Sequence, residues 1–84
     1  MKYGIDVLRS AQKRLAKLSP QDQDRIVAAI AGLSEAPRPA GSQKLTGRDA
    51  MRIRVGDYRV IYEINDASRA LLIVVIAHRK DAYR

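Results

Sequence analysis

The sequence predicts an α+β fold: a strand, a helical hairpin, then three antiparallel strands. Three observations predict it. The hydrophobic period changes from two residues to helical spacing near Ser10. Two alternating runs flank Gly56-Asp57, with glycine first as a type II′ hairpin turn prefers. Leu71 to Ala77 is an almost unbroken apolar run rich in Ile and Val, which reads as a strand in the interior of a sheet.

The elements follow in order. Tyr3, Ile5 and Val7 alternate with Gly4 and Asp6, a short strand. Ala11, Leu15 and Leu18 then recur at helical spacing, with Gln12, Lys13, Arg14 and Lys17 outside. Ser19-Pro20 ends this helix and starts the next, because serine caps well and proline suits the first helical position. Asp22 and Asp24 sit in the first turn, and Ile26, Val27, Ile30 and Leu33 form the apolar stripe. Glu35 to Gly47 holds two prolines and two glycines and reads as a linker, with Leu45 as its buried anchor. Asn65-Asp66-Ala67-Ser68 is a second turn. The helices should cover one face of the sheet, leaving the other to the arginines and the C-terminal segment.

Composition bounds the function. Eighty-four residues suit one domain spanning 1–84. A net charge of +7 points to a polyanion or an acidic partner. Hydrophobic content of 46% is too high for a disordered basic tail. There is no cysteine, and His78 alone cannot build a zinc site. No carboxylate pair has metal-ligand spacing, so no metal or other cofactor is expected and a two-metal nuclease is disfavoured. The N-terminus lacks a long apolar run, so a cytoplasmic protein without a membrane partner is expected. P-loop, dinucleotide and nucleophile-elbow motifs are missing.

The candidate site begins on the hairpin. Side chains alternate along a strand, so Arg52, Arg54 and Arg59 share one face. With Gly56-Asp57 as the loop, Arg54 pairs with Arg59, and like charges opposed across a ladder are destabilising. An anion placed there would offset that repulsion. A second cluster, His78-Arg79-Lys80 with Tyr83 and Arg84, follows the apolar strand. Arg79 should emerge beside the hairpin, with His78 on the opposite face as a structural hydrogen-bonder. Lys44 and Arg48 flank the loop into the hairpin and suit phosphate contacts. Tyr3, Tyr58 and Tyr62 fall on core positions.

Together these elements resemble the RelE family of type II toxins, within the RelE/ParE superfamily. The resemblance rests on Lys44-Leu45-Thr46-Gly47, Gly56-Asp57-Tyr58-Arg59-Val60-Ile61-Tyr62 and His78-Arg79-Lys80-Asp81-Ala82-Tyr83-Arg84, and covers the whole chain. It implies a mixed four-stranded sheet with two N-terminal helices. It implies a ribosome-dependent mRNA interferase acting in the A site, by metal-independent attack of a ribose 2′-oxygen on the adjacent phosphorus. The matching positions imply Arg59, Arg79 and Tyr83 as catalytic residues. Arg52, Arg54, Lys44, Arg48, Lys80 and Arg84 would bind RNA. The implied partners are the ribosome, mRNA and a cognate antitoxin with an acidic toxin-binding segment, in a hetero-oligomeric complex. Two features depart from the best-studied pattern. Arginines stand at 52 and 54 in place of lysines, and arginine cannot act as a base. Tyr83 also lies closer to Arg79 in sequence. A ParE-like gyrase inhibitor, a non-catalytic RNA- or ribosome-binding protein and an inactive toxin remain as alternative readings.

Overall fold

Five strands build one sheet in the computed structural model, which describes residues 2–47 and 49–82, Ala82 by its backbone only. The elements are β1 (Gly4–Val7), α1 (Arg9–Ala16), α2 (Pro20–Glu35), β2 (Gln43–Lys44), β3 (Met51–Val55), β4 (Tyr58–Asn65), β5 (Ala70–His78) and α3 (Arg79–Ala82). The sheet order is β1-β5-β4-β3-β2. β1 runs parallel to β5, and the other neighbours are antiparallel. The sheet is mixed, as expected, with five strands where four were expected. The additional strand, β2, lies inside the expected linker. Its two residues pair with Arg52 and Met51, a register that proline and glycine content alone does not reveal.

Each helix start has a local cause. Ser19 is the α2 N-cap, and its hydroxyl accepts a hydrogen bond from Asp22 N at 3.2 Å. Pro20 follows at the first helical position. Gln23 then reaches back to the carbonyls of Ala16 and Leu18, closing the turn between the helices. Ala11 of α1 and Ile26, Ile30 and Leu33 of α2 pack on one face of the sheet, against Ile53, Val60, Tyr62, Leu71, Ile73 and Ile76. Val27 does not join them: it is 52% exposed, because the buried stripe follows the 26, 30, 33 spacing.

β5 is the interior strand. Its ladder with β4 slips by one residue: Ile61 pairs with Val75, whereas Tyr62 pairs with Ile73. Val74 is the extra residue, and the phase of β5 inverts around it. Leu71 and Ile73 face the core before the slip, and Ile76 does so after it.

The long loop before β3 is fixed from the core. Tyr62 is fully buried, and its hydroxyl donates to the Pro37 carbonyl at 2.6 Å. Burial raises the pKa of this phenol, so it stays a donor. Leu45, expected as the anchor, is only half-buried, and the buried residue at that end is Ala50. Arg38, the loop residue after Pro37, forms a clasp. It donates to both carboxylate oxygens of Asp66 at 3.3 and 2.9 Å, and Tyr3 donates to Asp66 at 2.7 Å. The clasp ties the loop to the N-terminal segment and the β4–β5 turn.

Two predictions follow from these contacts. Tyr62→Phe should lower stability by about 0.5–1.5 kcal/mol in urea unfolding, because the partly buried Pro37 carbonyl loses its donor. The second concerns pH. The hydrogen bonds from Arg38 and then Tyr3 hold the Asp66 carboxyl below its ordinary 3.8. A depressed carboxylate contributes stability above its unfolded value and loses it as pH falls through the folded value. Asp66→Asn should therefore lower the melting temperature at neutral pH, and the gap from wild type should close as the pH drops below 3.8.

Candidate active site

The hairpin places its arginines by register. Val55 pairs with Tyr58, and Arg54 pairs with Arg59. Gly56 has φ +60°, while Asp57 is not among the residues at positive φ, which is the type II′ pattern. In a two-residue hairpin the pair flanking the turn exchanges hydrogen bonds. Arg54 and Arg59 then form the next pair, where side chains stand closest. Two cations are thus held side by side on the face away from the helices.

The end of β5 completes the site. Tyr58 pairs with His78, so the hairpin tip lies beside the strand end. Arg79 N donates to the Asp57 carbonyl at 2.7 Å, and the Arg79 Nε lies 3.9 Å from Asp57 Oδ1. A cleft of about 170 Å³ results, lined by Arg54, Gly56, Asp57, Tyr58, Arg59 and Arg79. The Arg59 Nε is buried, whereas Arg54 and Arg79 are exposed. Three guanidiniums from three strand ends therefore surround one small recess. Each offers a planar fork of donors that suits phosphate oxygens.

Contacts on either side hold the elements that border this cleft. α3 is held by an ion pair between Asp81 and Arg14 of α1, so Arg14 serves the fold as well as the surface charge. His78 turns toward the core, its ring edge-on to Tyr58 with centroids 5.3 Å apart. Its Nδ1 accepts the Lys80 backbone N–H at 3.2 Å. His78 and Arg79 thus have separate surroundings.

The remaining sequence-predicted residues scatter. Arg52 lies on the arginine face of β3 but is only 6% exposed, and it donates to the Gln43 side chain of β2. It lines a second recess of about 400 Å³ with Ala40, Gly41, Gln43, Ile53 and Arg54. Arg54 borders both recesses and links them into a track. Lys44 pairs with Met51 and sits apart, beside Arg38 and Asp49. Lys80 is exposed on α3. Arg48, Tyr83 and Arg84 lie outside the described residues. Sequence reasoning missed two participants. Gln43 falls in the expected linker, and Asp57 in the expected hairpin turn. The position of Asp57 at the tip, two residues before an arginine, was the available signal.

A larger recess of about 690 Å³ lies toward the other end of the sheet, and it is acidic: Asp6, Asp49, Glu63 and Asp66 line it. Positive side chains thus gather at the hairpin end of the sheet and carboxylates toward the other.

Fold and site together define a small basic α+β protein with an arginine-lined cleft at the tip of its sheet. The family described as "ParE toxin of type II toxin-antitoxin system, parDE" matches residues 5–83. The chain belongs to this family of toxins of type II toxin–antitoxin systems, within the RelE/ParE superfamily. It is similar to Toxin RelG of Mycobacterium tuberculosis, with 32% identity over all of this chain and 99% of the relative. Among solved structures it resembles the archaeal RelE-RelB complex from Pyrococcus horikoshii OT3. That likeness has a TM-score of 0.85 and 29% identity, covering 94% of this chain and 97% of the other. It also resembles the toxin–antitoxin complex RelBE2 of M. tuberculosis, with a TM-score of 0.82 and 27% identity over 94% of this chain and 100% of that one.

The Arg54–Arg59 pair has a measurable consequence. Arg54→Gln should raise stability by about 0.2–1 kcal/mol, because it removes repulsion across the ladder. The same variant should elute from heparin at lower salt. Chemical denaturation and a salt gradient read the two effects separately.

Proposed function

We propose that this toxin is a ribosome-dependent mRNA interferase, with residues 1–84 as a single toxin domain acting in the cytoplasm. It cleaves mRNA in the ribosomal A site by metal-independent attack of the 2′-oxygen on phosphorus, which halts translation. The observation that carries this reading is the convergence of Arg54, Arg59 and Arg79 on one cleft at the hairpin tip. In-line displacement at phosphorus gathers negative charge on its oxygens. Fixed guanidiniums stabilise that charge most when they are already in place.

Each residue has a role in this proposal. Arg59 and Arg79 clamp the scissile phosphate. Arg54 holds the adjacent phosphate at the border of the two recesses, and Arg52 adds its buried charge beneath. Lys44, Arg48, Lys80 and Arg84 contact flanking phosphates and steer the complex. Tyr83 stacks on a base or takes part in proton transfer. The solved structures similar to this chain include complexes with RelB antitoxins. Their likeness supports a cognate antitoxin here, in a hetero-oligomeric complex. An acidic antitoxin segment would find its complement in the arginine cleft.

A ParE-like gyrase inhibitor is the second reading, favoured by the description of the matching family. One experiment separates them. The Arg79 side chain is 65% exposed, so Arg79→Ala should keep the fold. It should lower cleavage of translated mRNA roughly 100- to 1,000-fold, with chelator present throughout. Cleavage at the wild-type rate would show that this cleft is not the site. Gyrase inhibition without mRNA cuts by the wild type would favour the second reading.

A further inference from the structure

On the reading of the chain as an RNA-cleaving toxin, the 2′-hydroxyl must lose a proton, and the arginines cannot take it. We propose that Asp57 is the catalytic base. The lining of the cleft narrows the choice. Arg54, Arg59 and Arg79 are permanent cations, and Gly56 has no side chain. Tyr58 lies on the core face against His78, whose Nδ1 is occupied by the Lys80 N–H. Lys44 borders a different recess. Asp57 is the one carboxylate among the described residues of the cleft.

Its setting suits the task. The Asp57 carbonyl is pinned by Arg79 N at 2.7 Å, which fixes the turn against the end of β5. The carboxylate is 67% exposed and lies 3.9 Å from Arg79 Nε. That separation keeps it within the field of the phosphate-binding cation and beyond hydrogen-bond length. Asp57 lines the cleft, and its carboxylate lies beside the cation that would hold the phosphate. A carboxylate is a modest base, and proton acceptance by a positioned side chain is worth about 10²–10⁴-fold.

The step balances. An Asp57 oxygen takes the proton of the 2′-hydroxyl, and the freed electron pair forms the bond from the 2′-oxygen to phosphorus. The bond from phosphorus to the 5′-oxygen breaks, and the leaving oxygen takes a proton from water. Asp57 then returns its proton to solvent. The products are a 2′,3′-cyclic phosphate and a 5′-hydroxyl, with no net proton consumed.

Single-turnover cleavage of mRNA on programmed ribosomes tests this, alongside binding of the toxin to the same ribosomes. Asp57→Asn keeps the size of the side chain and suits a turn. It should cut cleavage by about 100-fold or more while binding stays equal or tightens, since a negative charge leaves a phosphate cleft. Asp57→Glu, which keeps a carboxylate, should cleave faster than Asp57→Asn. Asp57→Asn cleaving at the wild-type rate would sink the proposal. So would loss of binding in step with loss of cleavage, which marks a brace for Arg79 rather than a base. A rate for Asp57→Glu no higher than that of Asp57→Asn would also count against it. A wild type that cuts no translated mRNA overturns the mRNA-interferase reading itself, a result distinct from any of these.

Discussion

The slip at Val74 is the constraint on which the site depends. A strand that alternated strictly from Leu71 would put Ile73, Val75 and Ala77 on the core face. The observed ladder instead turns Ile76 and His78 inward and sends Ala77 to the arginine face opposite Arg59. This lets one strand satisfy the core at both ends, despite a sequence with no clean alternation. It also decides the surroundings of the last residues. His78 packs on Tyr58, and the chain leaves the sheet with Arg79 N aimed at the Asp57 carbonyl. Bulges concentrate beside functional sites because they re-aim a side chain without unpairing a whole strand.

The core and the site are linked by few contacts. Tyr62 lies on the core face of β4 and holds Pro37 through its hydroxyl. From Pro37 the loop runs past Arg38, which clasps Asp66, to Gln43, which meets Arg52. The buried tyrosine thus fixes the loop whose far end covers an arginine. This frame positions the guanidiniums without enclosing them: Arg54 and Arg79 stay exposed while the Arg59 Nε is buried. That is the sense in which such a cleft is preorganised for an anion.

Some of this was legible from the residues alone. Gly56-Asp57 between alternating runs fixed the hairpin register, and with it the Arg54–Arg59 pairing. Ser19-Pro20 located the start of α2. The apolar run from Leu71 marked the interior strand, but every residue in it is apolar, so no alternation existed to reveal the slip. β2 was illegible for a different reason. Two polar residues in a proline- and glycine-rich stretch carry no strand pattern, and their pairing comes from Arg52 and Met51 across the gap. Burial of Arg52 was hidden with it, since its cover is that same unrecognised strand. Asp57 was visible as a turn former, but its carboxylate became a member of the cleft only once β5 delivered Arg79 beside it.

Arginine in place of lysine changes what the cleft must obtain elsewhere. Lysine can bind phosphate in one protonation state and exchange a proton in the other, so one side chain can serve two needs. Arginine separates them: it grips oxygen anions with a fixed fork and never gives up its proton. A site built on arginines therefore binds strongly and needs a different group for proton traffic. The same grip does not distinguish phosphate from carboxylate, since both present paired oxygens to the fork. Any acidic segment that reaches the hairpin tip competes with a phosphate backbone for the same donors. Asp57 makes the point within the chain itself, for its carboxylate lies 3.9 Å from the Arg79 Nε. Under the proposed function, recognition of substrate and recognition of an acidic inhibitor would then draw on the same donors of the cleft.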